Sequence, residues 1–572
     1  MLQRLVAREI DYLWSRLARA SRHLENLAPM WSRGGDPRVV RLVESAAYVC
    51  ARIREKVEDD VPEVAHPIVA SALPGVLRPV PSTTIVHVAD APARRRDVAT
   101  RDTIRLASRP IDERPCVFQT AWPIRLAPVT LDRAALRMPE PGVQRLTLRL
   151  SVHGGAAFAH AFPEALRVFV DDPNVFRALD LVHALCTARD GIEVRVFGAR
   201  SAPLGVLTVP PTTIRWTALH RPFRLFPGRD DRFASGAALR AFHATPEVFA
   251  FFDVVGLHQT VGRAFPSAES VELTVALGSL VESGDVRCVL DCAPATNVFA
   301  TDAALRVRGL GRLGLLRSES YPGAEVFEIQ RARLEPSRDR SAETEVLLWE
   351  SDLGELWGDD LYLQLERRAA VGRGPTETWL SLLRPEGKGG VPAGDLRVDF
   401  LASDGFRTET LLRGDVGLRS DILPVTNITR VTRPFAPRLD DHLPWRLNAY
   451  ARMPVTDLAT APALGTYVAL HDPRDDDGRE PAATSGILSV ARRSSHRVVR
   501  DEVVHGDDVD IELDEGAWGG RGAAWLVGEI AARALAERTD LLRYTRTRWV
   551  HRGHALADYG RRTGERLPFP IG

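Results

Sequence analysis

The sequence predicts an α+β protein: an N-terminal helical hairpin or bundle, several mixed and mostly antiparallel β-rich domains, and a C-terminal helix. Three observations support this class. Helical apolar patterns fill roughly the first 75 residues, strand-like alternation begins near residue 83, and a last helical pattern starts near residue 523. Strands grouped apart from helices are typical of α+β proteins and not of wound parallel sheets.

The first predicted helix carries a narrow apolar stripe. Its apolar residues recur at intervals of three and four, which places them along one face. Such a stripe needs a second helix to cover it, so it is a candidate interface for a partner. An intramolecular hairpin is the alternative, and both hold if the hairpin joins a bundle between subunits. The candidate interface residues are Leu2, Val6, Ile10, Leu13, Leu17, Leu24 and Leu27.

A second helix is predicted directly afterwards. Asp36 is a good N-cap, Pro37 suits the first helical position, and Pro62 ends the helix or follows its end. A weaker third helix is predicted for residues 63–73. The apolar residues that we expect to form the packing face of the second helix are Val39, Leu42, Ala46, Val49, Ile53 and Val57.

Strands and helices then alternate irregularly. Alternating or continuous apolar runs predict strands at 83–90, 143–152, 165–172 and 192–198. Helices are predicted at 173–188, opened by Pro173, and at 523–545. The stretch 237–257 is predicted to be helical at first, until Pro246 interrupts it. We expect four parts: 1–75, a helical assembly region; 76–235, a β-rich domain with one helix; 236–424, a central mixed domain; and 425–572, an extended linker with a C-terminal α+β domain. The Pro- and Thr-rich stretch 425–447 is a hinge candidate.

Composition argues against several classes of partner. The chain has 572 residues, with 75 basic and 75 acidic side chains, so its charge does not favour nucleic acid or an anionic membrane. No apolar run reaches the ~18 residues of a membrane span. No secretory segment follows the charged start, so we expect a soluble, cytoplasmic protein. Cys288 and Cys292 are expected as buried thiols on one face of a strand.

Motifs that suggest chemistry are weak here. Gly309, Gly311 and Gly314 form G-x-G-x-x-G, but a Pro-Gly turn follows where a dinucleotide site needs a helix. The loop 474–478 lacks the alternating ligands of a calcium site. His551 and His554 alone do not make a zinc site, and a solvated loop explains the arginines at 94–96. We therefore predict no catalytic residue, cofactor or metal.

The order of several segments resembles the TssF family, also called ImpG or VasA. "DPRVVRLVESAAYVCARIREKVEDDVPE" (36–63) and "VLRPVPS" (76–82) fit its amino-terminal pattern. Further matches lie at 246–257, 288–299, 426–450 and in the last glycine-rich turn and helix. The residues on the amino-terminal pattern are Asp36, Pro37, Arg41, Leu42, Pro62, Glu63, Leu77, Arg78, Pro79, Pro81 and Ser82.

The chain departs from the family pattern at several places. Gly75-Val76 replaces an aromatic residue, and Ala300 stands where the family has a proline. Leu535, Leu541 and Leu542 replace aromatic residues around the last helix. The resemblance is therefore to a divergent member, and contacts through the last helix are in question.

The resemblance implies a structural role in a type VI secretion baseplate. In the family, two copies form a wedge with one TssG-like subunit. Wedges join TssK-like and TssE-like proteins around the spike hub, dock at the cytoplasmic face of the inner membrane and support sheath and tube assembly. No nucleic acid and no membrane insertion are implied.

Two other functions stay open from the sequence. A wedge component of a related contractile phage-tail-like particle would differ in its gene neighbourhood, which would lack a TssK-like adaptor. An enzyme built on Gly309–Gly314 would bind NAD or NADP saturably, and thermal shift would detect that binding.

Overall fold

The computed structural model describes most of the chain, which forms two compact units: Met1–Ala65 with Asp440–His442, and His66–Leu439 with Leu443–Gly572. Among the described residues, no helix is both long and apolar enough to cross a membrane. The described residues are 6, 9–14, 37–57, 66–67, 69–70, 73–89, 98–153, 158–219, 224–228, 234–282, 284–336, 343–349, 360–368, 376–384, 390–391, 393–418, 423–437, 439, 443–474, 486–499 and 502–565.

Helices occur along the described part of the chain, and the two longest, Pro37–Val57 and Arg521–Ala536, lie near its beginning and its end. Residues 9–14 are helical, and the described part of 66–70 is helical too. The longer helices, with the short ones between them, are α1 (Pro37–Val57), α2 (Phe158–Ala161), α3 (Val175–Cys186), α4 (Ala234–Ala244), α5 (Leu257–Ala264), α6 (Leu443–Arg452), α7 (Val455–Leu458), α8 (Ala461–Leu470) and α9 (Arg521–Ala536).

The strands occupy the larger unit from residue 83 onward. In chain order they are β1 (Thr83–Val88), β2 (Ala99–Arg101), β3 (Arg105–Ile111), β4 (Arg114–Thr120), β5 (Ile124–Leu126), β6 (Val129–Glu140), β7 (Val143–Val152), β8 (Ala165–Val170), β9 (Ile192–Phe197), β10 (Pro203–Val209), β11 (Ile214–Trp216), β12 (Phe251–Val255), β13 (Ser270–Ala276), β14 (Cys288–Val289), β15 (Cys292–Thr296), β16 (Phe299–Val307), β17 (Gly311–Leu315), β18 (Glu325–Pro336), β19 (Thr344–Leu348), β20 (Tyr362–Arg368), β21 (Glu377–Leu383), β22 (Gly394–Ser403), β23 (Val416–Leu418), β24 (Val425–Asn427), β25 (Ile487–Val499), β26 (Glu502–Leu513), β27 (Tyr544–His551) and β28 (His554–Thr563).

A small closed barrel joins distant parts of the sequence. Its strand order is β1-β15-β4-β3-β23-β24, and β24 pairs back onto β1. The register pairs Thr83 with Thr296 on one side of β1, and Val86 with Asn427 on the other. Closure removes the free edges that open sheets expose. A cluster of buried apolar residues lies among these strands, including Val86, Cys116, Phe118, Ala295 and Val416.

The largest core forms where two sheets and several helices meet. A five-stranded sheet has the order β10-β9-β13-β7-β6, and a four-stranded sheet has the order β11-β12-β8-β14. Residues of both sheets and of α3 and α9 belong to one buried cluster. Within it, the rings of Trp216 and Trp525 stack with centroids 5.2 Å apart.

Three further sheets lie in the described part of the larger unit. The seven-stranded sheet has the order β16-β22-β18-β19-β20-β21-β17 and its own buried cluster. The C-terminal sheet has the order β25-β26-β27-β28, and β2 pairs with β5. Parallel pairs occur between β19 and β20 and between β26 and β27, while the other strand pairs among the described residues are antiparallel. The predicted mixed, mostly antiparallel α+β class is confirmed.

Several elements match their predicted positions, and some do not. The strand predicted at 143–152 is β7 in full, and Pro246 does end the helical stretch begun by α4. Pro173 does not open α3. Asn174 caps that helix instead, because its side chain accepts a hydrogen bond from the Phe176 amide at 3.1 Å.

The prediction for Cys288 and Cys292 is wrong in one respect. The two residues lie on different strands, β14 and β15, which belong to different sheets. Asp291 between them has φ of 54°, a left-handed conformation that breaks a continuous strand. Burial nevertheless raises the pKa of the Cys288 thiol to about 12, so it stays protonated and unreactive near neutral pH.

Candidate assembly interface

Helix α1 buries a stripe of small side chains. Val43, Ala47 and Ala51 recur every four residues and are buried, the two alanines completely. Small residues at this spacing let a neighbouring segment approach the helix closely. The helix begins at Pro37 as predicted, whereas its proposed N-cap Asp36 and the terminating Pro62 lie outside the described residues.

Two bulky apolar residues of α1, Leu42 and Val49, face outward. Leu42, Ala46 and Val49 form what we call the outer stripe, and the leucine and valine are 70% and 56% exposed. The sequence predicted this stripe as the packing face, so that prediction is wrong within the single chain. Exposed apolar patches of this kind mark sites of association. The side chains of Val39, Ile53 and Val57 are outside the described part of the structure.

The stripe of the first helix is only partly described. Val6, Ile10 and Leu13 are half-buried, and Trp14 beside them is buried. Half-burial leaves area for a further neighbour. Leu2, Leu17, Leu24 and Leu27 lie outside the described residues, so the predicted interface remains a prediction.

The turn at 76–82 is buried inside the larger unit. The Arg78 guanidinium donates to Glu328 Oε1 at 2.6 Å and lies 5.4 Å from the Phe327 ring centroid. The Ser82 hydroxyl pairs with that of Thr408 at 2.6 Å. Both contacts join this turn to residues far along the chain, so the turn supports the fold and does not form a docking surface. Leu77, Pro79 and Pro81 are buried as well.

A buried network of hydrogen bonds surrounds Asn297 and Asp404. The Asn297 amide donates to Asp404 Oδ2 at 2.9 Å, and the Asp404 backbone amide donates to Asn297 Oδ1 at 2.7 Å. Asp404 Oδ1 also accepts from Arg114 and Arg407, each at 3.1 Å. The backbone amide of Val117 in β4 donates to Asp404 Oδ2 at 3.1 Å. This network ties the barrel to the end of β22. Asn297 lies within the family match at 288–299, whereas Asp404 was not predicted from the sequence.

The glycine-rich turn before α9 serves close packing. The Gly522 amide donates to Asp180 Oδ1 of α3 at 2.6 Å. A Cβ at Gly520 would lie 2.8 Å from that same oxygen, and a Cβ at Gly522 would collide with the Leu179 carbonyl oxygen. Only residues without a side chain allow the two helices to approach this closely. Leu541 and Leu542, which follow α9, are exposed.

The glycine motif at 309–314 has the geometry of a turn between strands. Gly309 lies between β16 and β17, while Gly311 and Gly314 belong to β17 and have φ of 104° and 147°. A dinucleotide site instead needs a helix after the glycines, whose amino terminus binds the pyrophosphate. The arrangement therefore lacks the element that would give the motif a cofactor role.

One cluster of hydroxyls and an imidazole lies on the five-stranded sheet. The Thr130 hydroxyl is 2.9 Å from His153 Nε2 and donates its hydrogen to Asp132 Oδ1 at 2.9 Å. Ser151 donates to the same carboxylate. Because the threonine hydrogen is committed to Asp132, His153 must donate to Thr130 and does not act as its base. The order of groups is not that of a catalytic triad.

The other predicted weak motifs fall in different places. The arginines at 94–96 and most of the acidic loop 474–478 lie outside the described residues. His551 and His554 oppose each other at the β27–β28 turn. Within the described part of the chain, no three histidine, cysteine or acidic side chains cluster as metal ligands.

Comparison with known families decides the classification. A family model described as "Type VI secretion system, TssF" matches residues 2–566. The chain belongs to this family. The TssF resemblance found in the sequence is therefore confirmed over nearly the whole chain.

A curated TssF relative matches part of the chain in sequence. The chain is 26% identical over 288 residues to the type VI secretion system component TssF1 of Pseudomonas aeruginosa. The aligned region covers 46% of this chain and 45% of that relative. Less than half of the relative's length is thus aligned.

Two solved structures of protein complexes contain chains of similar fold. One, from a TssK–TssF–TssG baseplate subcomplex, has a TM-score of 0.73 at 20% identity and covers 92% of this chain and 100% of that one. Another, from a baseplate complex of the type VI secretion system, has a TM-score of 0.60 at 17% identity and covers 99% and 100%. At these identities the likeness concerns the fold.

Proposed function

We propose that this TssF-family chain is a structural baseplate subunit of a contractile type VI secretion system. It forms a wedge with a TssG-like partner and a second copy of itself, and it supports sheath and tube assembly. The observation that carries the proposal is the outer stripe of α1, whose Leu42 and Val49 remain largely exposed in the single chain. A subunit that works by assembly needs such a surface, and no catalytic chemistry is invoked.

The free energy gained by burying apolar side chains favours a helical partner for the outer stripe. Full burial of a Leu or Val side chain stabilises by about 1.5–3 kcal/mol. Leu42, Ala46 and Val49 follow at intervals of four and three, which fits one groove of a neighbouring helix. The predicted stripe of the first helix, including Ile10 and Leu13, offers a second such contact.

Several finer features belong to the same proposal. TssK-like and TssE-like proteins and the spike hub are the further partners, and the assembled baseplate docks at the cytoplasmic face of the inner membrane. The fold likeness to a chain of a TssK–TssF–TssG subcomplex supports the TssG and TssK contacts. The four-part division at 75, 235 and 424 is kept as a proposal about domains.

Co-expression with the TssG-like subunit tests the proposal. We expect a stable complex near two copies to one, measured by size-exclusion chromatography with light scattering. The double variant Leu42→Glu with Val49→Glu should abolish the complex and leave the chain soluble. A wild-type chain that stays monomeric beside its partner would contradict the wedge function.

A matched control uses the same substitutions elsewhere. Leu280 and Val206 are 59% and 61% exposed, close to the values for Leu42 and Val49. Leu280→Glu with Val206→Glu should leave the complex intact. If both double variants lose the partner equally, the loss reflects general damage and the outer stripe is not the interface.

A further inference from the structure

The β25–β26 hairpin extends beyond the rest of its sheet. Its register continues to the pair Val499 and Glu502, whereas β27 joins β26 only from Gly506 onward. The described segments 496–499 and 502–505 are therefore a two-stranded ribbon, which we call the ribbon. Two strands alone are marginally stable in water.

Two histidines oppose each other on this ribbon. His496 and His505 are directly paired in the antiparallel register, and their ring centroids lie 6.5 Å apart. Both side chains are exposed. Directly opposed residues project to the same face of a sheet, so the two imidazoles share one side of the ribbon.

We propose that His496 and His505 together bind one divalent transition-metal ion, with water completing its coordination. Imidazole nitrogen is a preferred ligand of Cu²⁺, Ni²⁺ and Zn²⁺. Metal–nitrogen bonds of about 2.0–2.1 Å require the two rings to come slightly closer than they are. Exposed side chains make that adjustment by rotation about their own bonds.

The carboxylates of Asp507 and Asp508 near the ribbon already accept hydrogen bonds. This determines which metal ions the site is expected to prefer. Asp507 accepts from Arg492 at 2.6 Å and from Arg543 at 3.2 Å. Asp508 accepts from Ser495. With two nitrogen ligands and no added carboxylate, the site should follow the order Cu²⁺ above Ni²⁺ and Zn²⁺, and Mg²⁺ and Ca²⁺ should not bind.

The second opposed pair in the same sheet provides a control. His551 and His554 face each other across Arg552 and Gly553. The His551 ring is directed toward Glu512, with 3.6 Å between Nδ1 and Oε1. These two histidines therefore match the ribbon pair in number, exposure and strand setting, with one ring drawn to a carboxylate.

Metal binding should also stabilise the ribbon. A metal that joins His496 to His505 links the two strands close to their connection, beyond the point where β27 pairs with β26. Amides of 497–499 and 502–504 should then exchange more slowly with solvent, because opening the ribbon would require releasing the metal.

Titration of the tag-free full-length chain tests the site. Calorimetry with Cu²⁺, Ni²⁺ and Zn²⁺ alone should give one site, and His496→Asn or His505→Asn should weaken it about tenfold or more, which is about 1.4 kcal/mol. His551→Asn with His554→Asn should bind as the wild type does. Zn²⁺ should slow exchange in the ribbon of the wild type and not in His505→Asn.

Three outcomes would overturn the proposal. The first is that the wild type does not bind Ni²⁺ or Zn²⁺ at about millimolar concentration. The second is that His496→Asn binds the metal as tightly as the wild type. The third is that the control variant His551→Asn with His554→Asn loses metal binding. Binding that survives all four substitutions would assign the metal to another group, such as the amino terminus.

Discussion

Helix α1 and the β-rich unit place their family-pattern residues in opposite environments. On α1, Leu42 is largely exposed while small residues such as Ala47 are buried. In the β-rich unit, Arg78, Ser82 and Asn297 are buried and hydrogen-bonded to residues more than 100 positions away. The family pattern on α1 therefore leaves apolar surface exposed in the single chain. The family pattern in the β-rich unit supplies buried polar groups that are hydrogen-bonded within the chain.

This difference separates two reasons for a residue to belong to a family pattern. Buried polar groups must be paired, because an unsatisfied one costs about 1–3 kcal/mol. Residues such as Asn297 are thus required by folding itself. An exposed leucine at the position of Leu42 adds little to folding of the isolated chain, which is consistent with the proposed contact with another subunit.

The largest effect on folding is expected at Asp404. Asp404→Ala removes the acceptor of Asn297, Arg114, Arg407 and the Val117 amide, and should lower the free energy of unfolding by about 3–5 kcal/mol. Chemical denaturation measures it. Asp395→Ala breaks an exposed pair with Arg306 and should cost at most about 1 kcal/mol. Similar costs at both positions would contradict the importance assigned to the buried network.

A smaller loss is expected at the contact between α3 and α9. Gly522→Ala adds a methyl group that collides with the Leu179 carbonyl oxygen, so the helices must separate. We expect the free energy of unfolding to fall by about 1–3 kcal/mol, measured by denaturation. Gly309→Ala is the control, since a Cβ there meets no atom within 4 Å. An unchanged stability for Gly522→Ala would mean that the packing adjusts without cost.

Acidification should destabilise the β-rich unit through His243. Burial lowers the pKa of this imidazole to about 4, against a usual value near 6.5 in unfolded chains. Between those values the unfolded state binds more protons, so stability falls with decreasing pH, by up to about 1.4 kcal/mol per pH unit. Denaturation at several pH values should show a shallower slope for His243→Gln. Equal slopes would show that His243 does not contribute.

Local periodicity made part of the fold predictable. The alternation in 143–152 gave β7 in full, and the helical pattern near 523 gave most of α9, because both segments show their buried face within a short window. The barrel was not predictable in this way. Strands β23 and β24 have three residues each, and their register with β3 and β1 depends on contacts between distant segments.

The charged residues of the C-terminal strands made these strands hard to predict from the sequence. The sequence patterns predict no strand at β27 or β28, yet Arg546 pairs with Asp558 and Arg548 with Asp510 across neighbouring strands. Cross-strand ion pairs of this kind let charged segments form sheets. No single-segment pattern displays such pairs, because each partner lies elsewhere in the sequence.

The face of α1 was mispredicted for a related reason. Sequence patterns assign the bulky apolar side, here Leu42 and Val49, to the interior. The chain buries Val43, Ala47 and Ala51 instead. A pattern shows that a helix has an apolar side, but it does not distinguish a side that packs within the chain from one that awaits another subunit.

The smallest effect is expected when the outer stripe is changed in the isolated chain. Leu42→Ser with Val49→Ser removes side chains that are already exposed, so the free energy of unfolding should change by no more than about 0.5 kcal/mol. Val43→Ser, which places a hydroxyl at a buried position, should cost about 1–3 kcal/mol. Hydrogen exchange of peptides covering Pro37–Val57 compares the two variants directly. If the outer-stripe variant loses as much protection as Val43→Ser, then Leu42 and Val49 pack within the chain in solution, and the intramolecular hairpin replaces the partner helix as the explanation of the stripe.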